Sequence, residues 1–357
     1  MHPSIRFLRT AAFVFVLATT AIGFACGGGG GAGPVKLQGA GATFPNPLYQ
    51  KWLSEYGKVN SGIQIDYQSI GSGGGIKQLQ AQTVDFGASD APMTEEELKA
   101  TAGTVLHIPT VLGAVVVTYN LPGVSSPLKF SPDVIADIYL GKISKWNDAR
   151  IKADNPEANL PATDISSVHR SDGSGTSFVF TDYLSKVSAE WKEKVGANKS
   201  PKWIGGIGGK GNEGVTGQVK QTPNTIGYVE LAYAVQNKLP VALIKNKAGN
   251  FIEPSIDAVT AAAAGTVAGT PDDLRVSIAN ADGATSYPIS SYTYILVIQD
   301  QKDAGKGKAL VDFLWWGIHD GEKFAKELQY APLPDEIIKR AEAKINSITA
   351  GGKPLRS

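Results

Sequence analysis

The sequence predicts an α/β protein of two lobes, and three observations predict it. From Val35 onward, short apolar strands alternate with Gly/Ser/Thr turns and amphipathic helices. Two longer apolar stretches, Gly113 to Tyr119 and Tyr292 to Ile298, each fall between regions of that alternation, which marks them as chain crossings between lobes. A chain of 357 residues, 42% hydrophobic and 19% charged, can bury one or two ordinary cores. No repeat at a solenoid period competes with this reading.

The elements follow in order. Residues Met1 to Ala25 carry Arg6 and Arg9 ahead of an apolar run that starts at Ala11, the pattern of a secretory signal peptide over 1–25. Cys26 and the glycines behind it then read as a lipidated first residue on a flexible tether over 26–34, although Gly23 stands where such signals usually carry Leu. Val35 to Leu37 is a strand that enters the turn Gly39-Ala40-Gly41-Ala42-Thr43-Phe44-Pro45, and Leu48, Trp52 and Tyr56 then recur at helical spacing. Pro45 and Pro47 suit a first helical turn, where a missing N–H costs little. Ile63 to Tyr67 alternates like a strand and runs through Ser69 to Gly75 into a helix from Ile76 to Gln82. Val84 to Pro92 is the third strand and turn, with Thr94 and Glu97 forming a capping box for the next helix. The fourth turn, Arg170-Ser171-Asp172-Gly173-Ser174-Gly175-Thr176-Ser177, joins the strand Ile165 to His169 to a helix that contains Phe178 to Phe180. Ala258 to Ala268 reads as a plain helix or its end, and Leu310 to Trp316 and Glu336 to Ile345 as closing helices. The resulting boundaries are lobe I over 35–110 and 288–357, and lobe II over 111–287.

Charge and composition exclude several functions. Lys and Arg number 34 against 33 Asp and Glu, so no sequence-wide basic field exists to drive binding to nucleic acid or an anionic membrane. The single Cys rules out an internal disulfide or a Cys-based zinc site, and His2, His107, His169 and His319 lack metal-ligand spacing. No metal or cofactor is expected.

The turns carry the chemistry. A helix start presents unpaired backbone N–H groups and the positive end of the helix dipole, so a Gly-rich turn before a helix receives anions. Thr43, Ser72, Ser174 and Thr176 add hydroxyl donors, and Arg170 adds a charged fork. Two acids sit among these donors. Asp172 is two residues from Arg170 and can hold its guanidinium, whereas Asp90 has no local partner. Lining an anion site, Asp90 should accept a hydrogen bond from a ligand hydroxyl, which phosphate supplies and fully ionised sulfate does not.

At these residues the chain closely resembles the phosphate-binding proteins of bacterial high-affinity phosphate ABC importers. The resemblance rests on the stretches 39–45, 71–74 and 84–92, on Ile138-Tyr139-Leu140-Gly141-Lys142-Ile143, on Asp172 to Phe178, on Gly208-Gly209-Lys210-Gly211-Asn212, and on Ile226-Gly227-Tyr228-Val229-Glu230, in family order. It implies a periplasmic binding protein fold of type II, whose cleft lies between the lobes and whose two crossings act as a hinge. It also implies phosphate held by Thr43, Phe44 through its N–H, Ser72, Asp90, Arg170, Asp172, Ser174, Gly175 and Thr176. The protein would then be an exported monomer, periplasmic or anchored through Cys26, that delivers phosphate to membrane permease subunits and catalyses nothing. Residues 249–282 match the family less well.

Other readings stay in view. Gly206 to Gly211 fits the G-x-G-x-x-G spacing of dinucleotide sites, with Glu230 nineteen residues on, but Ser200 to Ile204 before it is no apolar strand. An exported phosphatase or other hydrolase would need Ser174 or Ser72 as nucleophile and His169 as base, and neither serine fits G-x-S-x-G. A binder of another oxyanion on the same fold is the remaining alternative.

Overall fold

Eight strands form one mixed sheet, and its order explains where the turns meet. In a computed structural model describing residues 33–124 and 127–356, these strands are β1 (Val35–Gly41), β2 (Ile63–Ser69), β3 (Phe86–Ser89), β4 (Val105–Asn120), β5 (Ser166–Arg170), β6 (Ile207–Gly209), β7 (Thr225–Glu230) and β8 (Ser290–Ile298). They lie in the order β2-β1-β3-β8-β4-β7-β5-β6. β1 runs parallel to β2 and β3, and β5 runs parallel to β6 and β7. β8 is antiparallel to both β3 and β4, and β4 is antiparallel to β7. Residues from Pro34 onward form one compact unit. The signal peptide expected over 1–25, Cys26 and most of the 26–34 tether lie outside the described residues.

The two apolar stretches read as crossings are the middle of this sheet. β4 pairs with β8 from Val105 to Ala114, then with β7 from Val115 to Asn120. Every β4 residue but the first and last is buried, as expected for a strand covered on both faces. It is much longer than the 113–119 stretch read from sequence, because Pro109 and the polar Thr110 break the apolar run there without breaking the strand. Thr110 stays buried by pairing with the Tyr49 hydroxyl at 2.8 Å.

Both strand groups feed one continuous hydrophobic core. Helix Asn46–Val59 buries Leu48, Trp52 and Tyr56, and the Tyr56 ring lies 5.3 Å from both Phe313 and Trp316 of the closing helix Ala304–Gly317. On the other side, Phe180 of helix Gly175–Val187 stacks on Tyr228 of β7 at 4.3 Å and meets Tyr139 edge-on at 4.9 Å. Offset or edge-on aromatic pairs of this kind add to what area burial alone contributes.

The second helix begins earlier than its apolar pattern indicates, at Ser72 rather than Ile76, and ends at Gln80. Its first turn is the glycine run, whose composition predicts a turn. Packing overrides helix propensity here: a Cβ on Gly75 would stand 2.5 Å from the Ala40 carbonyl oxygen, so the close approach of helix to β1 requires glycine. The alanine-rich stretch is a helix over Ile256–Ala264, followed by a short 3-10 turn at Val267–Gly269.

Candidate functional site

All four turns leave the carboxyl ends of β1, β2, β3 and β5, where α/β sheets hold their ligands. Three of them feed helix starts: Asn46 after β1, Ser72 after β2 and Gly175 after β5. A fourth start, Gly211 after β6, joins the same place.

The first turn is held by its carbonyls. Ala42 O accepts from the Tyr67 hydroxyl at 2.7 Å, Thr43 O from Tyr233 at 2.6 Å and Phe44 O from Tyr330 at 2.6 Å. In a trans peptide the N–H points opposite to the carbonyl of the same unit. Fixing Thr43 O against Tyr233 therefore turns the Phe44 N–H to the other side, and fixing Ala42 O does the same for the Thr43 N–H.

The second and fourth turns touch. Gly73 N donates to Gly173 O at 2.9 Å, and Gly175 N donates to Ser72 Oγ at 3.0 Å. Gly175 is obligatory for this arrangement, since a Cβ there would lie 2.4 Å from Asp90 Oδ2 and 2.5 Å from Ser72 Oγ. Ser174 caps its helix, its Oγ accepting from Ser177 N at 2.9 Å.

Buried Arg170 and half-buried Asp172 form a fork. Nε donates to Asp172 Oδ1 at 2.8 Å and Nη2 to Oδ2 at 2.6 Å, while Nη1 donates to Thr176 Oγ1 at 3.2 Å. Arg170 is the last residue of β5, not the first of its turn, so its backbone is fixed by the sheet and by the Tyr228 hydroxyl, which accepts from Arg170 N at 3.1 Å. Burial works to raise the Asp172 carboxyl, but the Arg170 fork and the Gly211 N–H outweigh it and hold the carboxyl below its usual range.

Asp90 is the opposite case. It is buried beside Gly175 and Ser72, with Oδ1 accepting from Thr293 Oγ1 at 2.7 Å. Oδ2 has no hydrogen-bond partner among the described residues. Burial is the largest influence on this carboxyl and pushes it up to about 7, against the pull of the Thr293 hydroxyl and the Arg170 charge. Near neutral pH this carboxyl is thus balanced between its protonated and ionised forms.

Thr43, Phe44, Ser72, Asp90, Arg170, Asp172, Ser174, Gly175 and Thr176 all converge on this region. Three further residues complete it. Thr293 of β8 orients Asp90. Asn212 sits between hydroxyls, its Nδ2 donating to Thr43 Oγ1 at 2.8 Å and Thr176 Oγ1 at 3.1 Å and its N donating to Thr43 Oγ1 at 3.1 Å. Glu230, fully buried at the end of β7, donates its N–H to Asn212 Oδ1 at 2.9 Å and sets Oε2 3.1 Å from the Tyr330 hydroxyl oxygen. Burial holds the Glu230 carboxyl well above its usual range. Asn212 and Glu230 stand in stretches 208–212 and 226–230, yet nothing in their spacing marked them as members of the site.

Of the decoys, His169 stacks on Trp203 at 4.9 Å and sets Nδ1 3.1 Å from Arg170 O, a structural place. Gly206 to Gly211 does hold a short strand, β6, but the helix after it delivers Asn212 to Thr43. No group of three or more acids, His or Cys arranged for a metal occurs among the described residues. A cavity of about 850 Å³ lies elsewhere, lined by Asp85, Gln299, Asp300 and Lys306 among others. Lys306 lies 3.0 Å from Asp85 there, and Asp300 accepts from Thr349 and the Gly352 N–H. The chemistry lies at the turns.

The chain is similar to known proteins in both sequence and fold. Residues 28–315 match the family model described as a PBP superfamily domain. The chain is 48% identical over 310 residues to the phosphate-binding protein PstS of Xylella fastidiosa, covering 87% of this chain and 84% of that one. It is 48% identical over 322 residues to the PstS protein of Pasteurella multocida, covering 89% and 93%. In fold it is similar to a crystal structure of a phosphate-binding protein from Stenotrophomonas maltophilia, with a TM-score of 0.68, 21% identity, and coverage of 87% and 94%.

Proposed function

The chain belongs to the PBP superfamily and, within it, to the PstS phosphate-binding proteins, and from that premise we propose that it captures inorganic phosphate outside the cytoplasm and delivers it to the membrane subunits of an ABC importer. The observation that carries this reading is Asp90 Oδ2, a buried carboxylate oxygen with no partner among the described residues, set in a ring of donors. Such a site fits an oxyanion that accepts at most of its oxygens and carries one proton to share. Phosphate near neutral pH meets that description, and sulfate does not.

The ligand set is Thr43, the Phe44 N–H, Ser72, Asp90, Arg170, Asp172, Ser174, Gly175 and Thr176. Arg170 neutralises charge, with Asp172 holding its guanidinium flat. Micromolar binding corresponds to about 8 kcal/mol, and several charge-assisted hydrogen bonds of roughly 1.5–3 kcal/mol each supply it after desolvation and closure costs. The first three turns belong to lobe I, over 35–110 and 288–357, and the fourth belongs to lobe II, over 111–287. Phosphate closes the lobes because the closed state alone offers both sets of contacts.

Catalysis has no part in this reading. Ser72 Oγ accepts from two backbone N–H groups and Ser174 Oγ caps a helix, and His169 serves neither as a base. The protein works as a monomer in the periplasm or on the outer face of the membrane through a lipidated Cys26. No helix of the described residues is long and apolar enough to cross a membrane. The test is calorimetric titration with phosphate in excess sulfate, beside an assay for phosphate-ester hydrolysis. Phosphate binding unaffected by sulfate and no ester turnover are expected; turnover, or equal displacement by sulfate, would sink the reading.

A further inference from the structure

We propose that Asn212 is a positioning residue that makes the Thr43 and Thr176 hydroxyls obligate hydrogen-bond donors. The inference rests on the phosphate reading and deepens it, by naming what sets the polarity of the site.

The amide orientation comes first. Glu230 N–H reaches one terminal atom of Asn212 at 2.9 Å, and an N–H pairs only with the oxygen, so this atom is Oδ1. Nδ2 therefore faces the hydroxyls. Its two protons go to Thr43 Oγ1 at 2.8 Å and Thr176 Oγ1 at 3.1 Å.

The lone pairs can then be counted. A hydroxyl has two lone pairs and one proton. Thr43 Oγ1 already accepts from Asn212 Nδ2 and Asn212 N, and Thr176 Oγ1 from Asn212 Nδ2 and Arg170 Nη1. Both acceptor capacities are filled, so each hydroxyl has only its proton left to offer. Ser72 reaches the same condition by another route, its Oγ accepting from Asp90 N at 3.3 Å and Gly175 N at 3.0 Å. Three hydroxyls become donors of fixed sense, and Asp90 Oδ2 stands as the acceptor among them. Without Asn212, Thr43 and Thr176 could rotate and present a lone pair to the anion, weakening both contact and selectivity.

The test uses calorimetric titration of inorganic phosphate into the full chain and its Asn212→Ala, Asn212→Asp and Thr176→Val variants, singly and combined. Asn212→Ala should weaken binding roughly tenfold. Asp has nearly the shape of Asn and keeps an acceptor for Glu230 N–H, so a residue that merely held that strand end would tolerate it. Here Asp should bind more weakly than Ala, because its carboxylate draws the hydroxyl protons away from the ligand. Part of the loss from either change should vanish on the Thr176→Val background, which separates proton diversion from added charge. Native affinity in Asn212→Asp, or fully independent effects in the combined variants, would overturn the inference. If Asn212→Ala fails to fold, Asn212→Ser enters the same cycle in its place. Absence of phosphate binding by the native chain would instead end the functional reading itself.

Discussion

Two carboxylates sit in one site and are treated in opposite ways. Asp172 is paired twice by Arg170 and once by the Gly211 N–H, and is held below its usual range despite burial. Asp90 keeps one oxygen without a partner among the described residues and is pushed up to about 7. The difference teaches a division of labour. The Arg170 wall fixes charge and is already satisfied within the protein, while the Asp90 wall leaves one bond for the ligand to complete. Affinity should follow the first wall and selectivity the second.

The comparison breaks most readily at Arg170. Arg170→Ala removes the cation of the site and leaves the half-buried Asp172 carboxylate with only the Gly211 N–H, and should lower phosphate affinity at least about a hundredfold, since hydrogen bonds to a charged group contribute roughly 1.5–3 kcal/mol each. Wild-type affinity by calorimetry would show that the fork is only structural. Gly175→Ala comes next, placing a methyl group against Asp90 and Ser72 at 2.4 and 2.5 Å. Overpacking of about 1–3 kcal/mol should oppose closure, and phosphate dissociation in stopped flow should be faster. Unchanged dissociation would mean that the walls do not meet when ligand is bound.

The third test sharpens the distinction. Asp90→Asn should reduce phosphate-over-sulfate preference roughly tenfold or more while costing less total affinity than Arg170→Ala. The pH dependence has a definite sign. Below about 7 the Asp90 carboxyl carries a proton and becomes a donor, so sulfate, whose charge is constant in that window, should compete better as pH falls through 7. In the ligand-free protein the raised value means that the folded state holds a proton the unfolded chain has released. Stability should therefore fall as pH rises from the ordinary carboxylate range to about 7 and stay lower above it. Asp90→Asn should flatten both trends; matching pH profiles in wild type and variant would remove Asp90 from its role. The smallest effect belongs to the rim. Lys199 and Glu97 pair at 2.6 Å with both side chains partly exposed, so Lys199→Ala should cost about 0.2–1 kcal/mol in affinity and leave sulfate rejection untouched.

Much of this was legible in the sequence because turns announce themselves. Gly/Ser/Thr runs between an apolar strand and an amphipathic helix located all four loops, and the absence of a local counter-charge singled out Asp90. What stayed hidden depends on partners far along the chain. Asn212 meets Thr43 across 169 residues and Thr293 meets Asp90 across 203, and no spacing rule encodes such a meeting. The early start of the helix at Ser72 was concealed for a different reason. Glycine's poor helix propensity argues against it, and only the approach to β1 explains it.

β4 adds a mechanical consequence. Its ladder with β8 stops at Ala114 and its ladder with β7 starts at Val115, so one continuous strand serves as an axle carrying two separately glued panels. A bend at that joint, which the Val115 N–H to Ile289 O bond spans at 2.8 Å, would part the panels with both ladders intact, and uncovering the anion there would require no melting of the sheet.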